Sequence, residues 1–184
     1  NEDGTMAKGE DLFKFAKKHK LKIAKIEDLI SYRLKNERLI KSISTKKIKI
    51  KKFGNFDIKT FKNKLDGSEH YALIKGRFNS NKAARVRVIS TSIPNSFFNF
   101  NKNVFKNSLN YLNRFGNFAL ILVTGSSPKP ISSENNRILR YYGVGAQIIK
   151  ELKIKKMILV SRSKKRVIAL KGYGIEIKKQ EIIK

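Results

Sequence analysis

The chain carries Phe118-Ala119-Leu120-Ile121-Leu122-Val123 near its middle, an unbroken run of apolar residues. A run of this length bounded by turn residues is typical of a strand buried on both faces of a sheet. Gly116 precedes the run, and residues 124–134 after it form a loop rich in serine and proline. We therefore expect a central buried strand between two helical segments, which is the arrangement of an α/β domain.

Working outward from this strand, hydrophobic periodicity predicts further elements. We expect helices over 9–19, 104–115, 136–152 and 164–170, with another helix marked by Ile26, Leu29, Ile30 and Arg33. We expect strands over 20–24, 44–52, 56–61, 70–77, 85–90, 156–161 and 175–179, with a turn at Asp66-Gly67. The pattern predicts an α/β protein with a mixed sheet.

The first 34 residues differ from the rest in charge. They hold 8 basic and 6 acidic residues, whereas residues 35–184 hold 34 basic and 8 acidic ones. A helix–strand–helix segment of this length is too short to bury a core of its own. We therefore divide the chain into an N-terminal appendage, residues 1–34, and a basic domain, residues 35–184.

Composition limits the classes of function. The net charge of +28 points to an anionic partner, or else reflects a composition rich in lysine throughout the chain, and both interpretations stay open. The absence of cysteine excludes disulfides and thiolate zinc sites. No apolar run approaches the roughly 18 residues of a membrane span, so we expect no membrane partner. The absence of cysteine and of a targeting segment predicts a cytoplasmic location. Since the chain lacks an initiator methionine, we expect it to be part of a longer protein.

Two parts of the chain resemble enzymes of riboflavin biosynthesis. Residues 1–34 resemble the C-terminal end of 3,4-dihydroxy-2-butanone 4-phosphate synthase through Asn1-Glu2-Asp3-Gly4-Thr5-Met6-Ala7, Phe15-Ala16-Lys17-Lys18-His19 and Ile26-Glu27-Asp28-Leu29-Ile30. The basic domain resembles GTP cyclohydrolase II through Asp66-Gly67-Ser68-Glu69-His70-Tyr71, Arg140-Tyr141-Tyr142-Gly143-Val144-Gly145 and Gly172-Tyr173-Gly174-Ile175. The resemblance implies a cyclohydrolase-like fold, preceded in the parent polypeptide by a synthase domain, and a homodimer.

The family's chemistry can be compared with this chain residue by residue. The resemblance implies a zinc ion held by three cysteines, but the corresponding positions carry Ser92, Asn99 and Asn101. Arg140 occupies the position of the family's proposed arginine nucleophile, while the acidic neighbour is replaced by Ile138, which cannot accept a proton. We therefore expect no zinc in the basic domain. The magnesium of the synthase family belongs to motifs outside residues 1–34, so we expect no cofactor in this chain.

Other polar residues remain candidates for substrate binding. Arg87, Ser90, Ser161 and Arg166 fall where the family contacts its nucleotide, so they are candidates for holding a GTP-like phosphate or sugar, or are ordinary polar residues at strand ends. We interpret His19 and His70 as structural histidines.

The leading hypothesis is a cyclohydrolase-like domain that has lost its chemistry and serves the synthase structurally or as a regulator. The alternatives are a basic module that binds phosphates or, less favoured, nucleic acid, and an active cyclohydrolase with a rebuilt site.

Overall fold

A computed structural model of the chain describes residues 3–24, 28–29, 32, 36–79, 81–91, 103–124, 134–164 and 173–183. Its helices are α1 (Glu10–Lys18), α2 (Asn103–Leu112) and α3 (Glu134–Glu151). Its strands are β1 (Ile40–Ile50), β2 (Gly54–Asn63), β3 (Glu69–Lys75), β4 (Ala84–Thr91), β5 (Phe118–Thr124), β6 (Lys156–Ser161) and β7 (Glu176–Ile182).

The seven strands form one mixed sheet in the order β1-β2-β3-β5-β4-β6-β7. Strands β1, β2, β3 and β5 pair with their neighbours in antiparallel fashion. Strands β5, β4, β6 and β7 run parallel to one another. β5 lies in the middle of the sheet, and each of its seven residues is buried. The prediction from its apolar run is therefore confirmed.

The two faces of the sheet are covered by different helices. Along β5, Ala119, Ile121 and Val123 belong to one core, together with residues of α3. Phe118 and Leu120 belong to the opposite core, together with Leu109 and Leu112 of α2. We call these the α3 face and the α2 face. Since side chains alternate along a strand, each strand supplies both cores.

Both edge strands change their register by one residue. In β1 the shift falls between Ser42 and Ser44, and in β7 the pairing passes from Met157–Ile177 to Ile158–Lys179. A one-residue shift moves all later side chains to the opposite face. This explains why β1 contributes Ile40 to the core of the α3 face and Ile50 to the core of the α2 face.

The N-terminal appendage departs from its predicted form. The strand predicted over 20–24 is wrong: Lys20 adopts a positive φ of 53°, and residues 21–24 are not in a strand. A strand needs a hydrogen-bonded neighbour, and none of the seven described strands pairs with this segment. Of the second predicted helix, Asp28, Leu29, Tyr32 and Asn36 are helical, and the rest lies outside the described residues.

The other predicted helices and strands match the structure to within a few residues at each end. The helix predicted over 164–170 and most of the loop 124–134 lie outside the described residues. Within the described part of the chain, no helix is both long and apolar enough to span a membrane.

Candidate functional site

The candidate site lies at one edge of the sheet, where three parallel strands end together. Thr91 of β4 pairs with Thr124 of β5, and Ser161 ends the neighbouring strand β6. β3 runs the other way and begins at this edge with Glu69 and His70. In open α/β sheets the carboxyl ends of parallel strands are the usual place for a ligand.

Arg87 is the most unusual side chain near this edge. It lies on β4, is only 5% exposed, and belongs to the α2 face because it alternates with Val86 of the α3 core. Its Nε and Nη1 atoms are buried and have no hydrogen-bond partner among the described residues. Burial, and then repulsion from nearby Arg162, hold the pKa of the guanidinium below its usual value. The arginine remains a cation, since a guanidinium is protonated throughout the physiological pH range.

An unpartnered buried cation is costly. A buried charged group without hydrogen bonds loses its hydration and gains little in return. An anion placed between Arg87 and Arg162 would supply acceptors for both guanidinium groups and relieve their mutual repulsion. The arrangement can therefore bind a phosphate or carboxylate.

The predicted serines are divided from Arg87 by the sheet. Ser90 is three residues after Arg87, so it belongs to the α3 face, and Ser161 follows Val160 of the α2 core and also belongs to the α3 face. The Oγ of Ser161 already donates to the carbonyl oxygen of Ser163 at 2.7 Å. The three residues share one edge of the sheet, but only Arg87 lies on the α2 side.

The remaining predicted site residues cannot be placed at the level of side chains. Arg140 and Ile138 lie in α3, and their side chains are outside the described residues, as are Ser92, Asn99, Asn101 and Arg166 altogether.

His70 forms a hydrogen-bonded network at the same edge. It is 2% exposed, and its Nδ1 accepts the backbone N–H of Thr124 at 3.2 Å. Nε2 therefore carries the proton of the neutral ring and faces the Oγ of Ser68 at 3.3 Å, which in turn donates to Asp66 at 2.6 Å. Burial outweighs the nearby Asp66 carboxylate and lowers the pKa of His70. These contacts agree with the interpretation of His70 as a structural histidine. His19 is exposed and packs against Phe15.

The residues present do not fit a thiolate zinc site. The sequence contains no cysteine, and serine or asparagine oxygens at the family's ligand positions lack the charge and softness of thiolates. Within the described ranges, no group of three or more His, Asp or Glu side chains is placed to hold another metal.

Sequence reasoning missed two features of this edge. One is Arg162, whose proximity to Arg87 depends on the pairing of β4 with β6. The other is the contact of Thr124 with His70, which joins residues 54 positions apart. The only signal in the sequence was that Thr124 follows the apolar run of β5.

Comparison with known proteins agrees with this architecture. The family model described as GTP cyclohydrolase II matches residues 41–127 and 128–182. A two-domain 3,4-dihydroxy-2-butanone 4-phosphate synthase called RibBX, from A. baumannii, has a solved structure that superposes with a TM-score of 0.73 at 30% identity. The match covers 100% of this chain and 52% of that one.

Curated relatives carry related names. The riboflavin biosynthesis protein RibBA of Aquifex aeolicus is 31% identical over 210 residues, which covers 100% of this chain and 52% of the relative. The 3,4-dihydroxy-2-butanone 4-phosphate synthase of Photobacterium phosphoreum is 33% identical over 199 residues, covering 96% of this chain and 53% of the relative. The chain thus spans about half the length of these relatives.

Proposed function

We propose, since this chain belongs to the GTP cyclohydrolase II family, that its basic domain is a non-catalytic, anion-binding part of a riboflavin-biosynthesis protein. The single observation that carries the proposal is the buried guanidinium of Arg87, whose Nε and Nη1 lack partners among the described residues. A site that has kept its buried cation while its thiolates are absent is suited to binding a phosphate and unsuited to activating water at zinc.

The proposed loss of catalysis rests on groups that the sequence does not contain. Between Glu69 and Glu134 there is no carboxylate, so the strands and helix around Arg87 supply no carboxylate base. Ile138 stands at the position of the family's acidic residue and cannot accept a proton. Without an acidic residue at the family's position and without a thiolate-bound metal, the site can hold a nucleotide by its phosphates but lacks the groups with which the family activates a nucleophilic water.

We further propose that residues 1–34 are the end of a synthase-like domain and that residues 35–184 serve that domain structurally or as a regulator. The appendage leaves large apolar side chains at least about half exposed, among them Leu12, Phe13, Phe15 and Leu21. Apolar clusters of this kind normally cover a partner surface, and the synthase names of the relatives suggest a synthase domain as that partner. The homodimer remains a prediction that analytical ultracentrifugation would test.

Catalysis can be tested directly with GTP and added zinc. We expect no ring-opened pyrimidine product from this chain, because neither the zinc ligands nor the base is present. The same assay on an active cyclohydrolase II provides the positive control. Product formed at a rate proportional to the concentration of this chain would contradict the non-catalytic assignment, and would instead support an active site that has been rebuilt.

A further inference from the structure

We propose that the hairpin of β1 and β2 binds the phosphate backbone of a single-stranded nucleic acid along an open groove remote from Arg87. The groove has a volume of about 470 Å³ and is lined by Lys47 and Lys49 of β1, Asn55 and Asp57 of β2, and Ile74 and Lys75 of β3. All these residues belong to the part of the chain that the structure describes.

Two lysines of the groove, Lys47 and Lys49, lie on the same side of the sheet. Lys47 pairs with Asp57, which pairs with Ile74 of the α3 core, so these side chains share the α3 face. Lys49 follows Lys47 on the same face, about 7 Å further along the strand. This separation is close to that of successive phosphates in an extended nucleic-acid strand.

Helix α3 leaves this end of the sheet face open. Gln147 of α3 is buried and fixes the chain before β1, accepting the N–H of Leu39 and donating to the carbonyl oxygen of Glu37. Lys47 lies about 24 Å along β1 from Ile40, at roughly 3.4 Å per residue. The helix therefore covers the Ile40 end of β1, and both Lys47 and Lys49 are exposed.

The charges favour an extended anion over a single compact one. Beyond Lys49 the turn adds Lys51 and Lys52, both exposed, so four lysines follow one another along the hairpin. The carboxylate of Asp57, opposite Lys47, is half-buried and disfavours an anion centred in the groove. Lys75 is already engaged, since its Nζ donates to Asn113 at 2.6 Å. A chain of phosphates running along β1 meets the free lysines and avoids Asp57.

The groove fits a backbone better than it fits bases. Its one aromatic residue, Phe56, is 3% exposed and has the Lys75 ammonium 5.4 Å from its ring centroid. A buried ring cannot stack on a nucleobase, and stacking is the usual source of preference in single-strand binding. We therefore expect binding that is independent of base sequence and steeply dependent on salt.

The test uses a fluorescent 12-nucleotide oligouridylate titrated with the chain at several salt concentrations. The double variant K47E/K49E should bind at least ten-fold more weakly than the wild type. Its slope of log affinity against log salt should be shallower by about 1.4, the loss expected for two phosphate contacts to a single strand. The matched control is K14E/K17E, which changes the net charge equally at exposed positions of α1 and should retain more of the affinity.

Three outcomes would overturn the proposal. They are no measurable binding by the wild type, an equal loss in both double variants, and equal affinity for a duplex of the same length.

Discussion

Arg85 and Arg87 lie two residues apart on β4, on the same face of the sheet, yet their surroundings are opposite. Arg85 donates to both carboxylate oxygens of Glu181, at 2.9 and 3.1 Å, and its guanidinium lies 3.4 Å from the ring centroid of Phe115. The hydroxyl of Tyr111 donates to the same carboxylate at 2.9 Å. Arg87 has a like charge, Arg162, where Arg85 has Glu181.

The difference shows which arginine is structural. Burial opposes ionisation of Glu181, but the hydrogen bonds from Arg85 and Tyr111 outweigh it and hold the pKa of that carboxyl below its usual value. The Arg85 group is thus complete within the chain and joins β4, β7 and α2. Nε and Nη1 of Arg87 have no such acceptors among the residues that the structure describes, and a bound anion would supply them.

The largest expected effect on the free energy of unfolding comes from disrupting the hydrogen-bonded group of Arg85, Tyr111 and Glu181. E181Q removes the charge that compensates Arg85 and should lower the free energy of unfolding by about 3 kcal/mol, because it leaves a largely buried guanidinium unpaired. Urea denaturation monitored by circular dichroism measures the change. E176Q is the control, since Glu176 pairs with Lys178 in the open and its loss should change the free energy of unfolding far less. Equal effects of the two variants would refute the structural role of Glu181.

A smaller effect of opposite sign is expected at Arg87. R87M keeps much of the side-chain volume and removes a buried charge whose Nε and Nη1 lack partners among the described residues. It should therefore raise the free energy of unfolding by about 1–2 kcal/mol in the absence of ligand. R85M should lower it, because the buried carboxylate of Glu181 would then lose the guanidinium that donates to both of its oxygens. Destabilisation by R87M of the same size as that by R85M would mean that Arg87 has protein partners after all.

The smallest effect concerns His70, which is fully partnered at the same edge. Its folded pKa lies below the ordinary value of 6.5, so the unfolded chain binds the proton first as the pH falls. The stability contributed by neutral His70 is therefore present above about pH 6.5 and is lost as the pH falls from there towards the folded pKa, by at most about 1.4 kcal/mol per pH unit. Denaturation of wild type and H70Q between pH 7.5 and 5 measures this, with H19Q as an exposed control.

An identical pH dependence in the wild type and H70Q would contradict the assignment of a buried neutral ring. The network predicts that the free energy of unfolding of H70Q depends less on pH than that of the wild type, because glutamine cannot titrate.

Much of the fold could be predicted from the sequence, whereas the contrast between the two arginines could not. The apolar run of β5 and the alternation in β1 are local patterns, and both identify strands. The partner of Arg85 is 96 residues away, and it reaches the α2 face only because the register of β7 shifts by one residue before it. Nothing in the local pattern of β7 indicates that shift, so the sequence does not predict the partner of Arg85. Arg87 received its predicted role only from the family resemblance.

The strand predicted over 20–24 shows that a local alternating pattern can also predict a strand that does not form. Its apolar and polar residues alternate as in a strand, but strands are stabilised by neighbours, and local sequence does not contain the neighbour. The same limit applies to Ser90, whose grouping with Arg87 by sequence ignored the face on which each side chain lies.

The central claim is that the basic domain binds an anion through Arg87 without transforming it. Calorimetric titration of the chain with GTP, compared between the wild type, R87M and the exposed-arginine control R77Q, tests it most directly. We predict saturable binding to the wild type and to R77Q, at least ten-fold weaker binding to R87M, and unchanged GTP at the end of each titration. Equal affinity in the wild type and R87M, or conversion of GTP during the titration, would contradict the account.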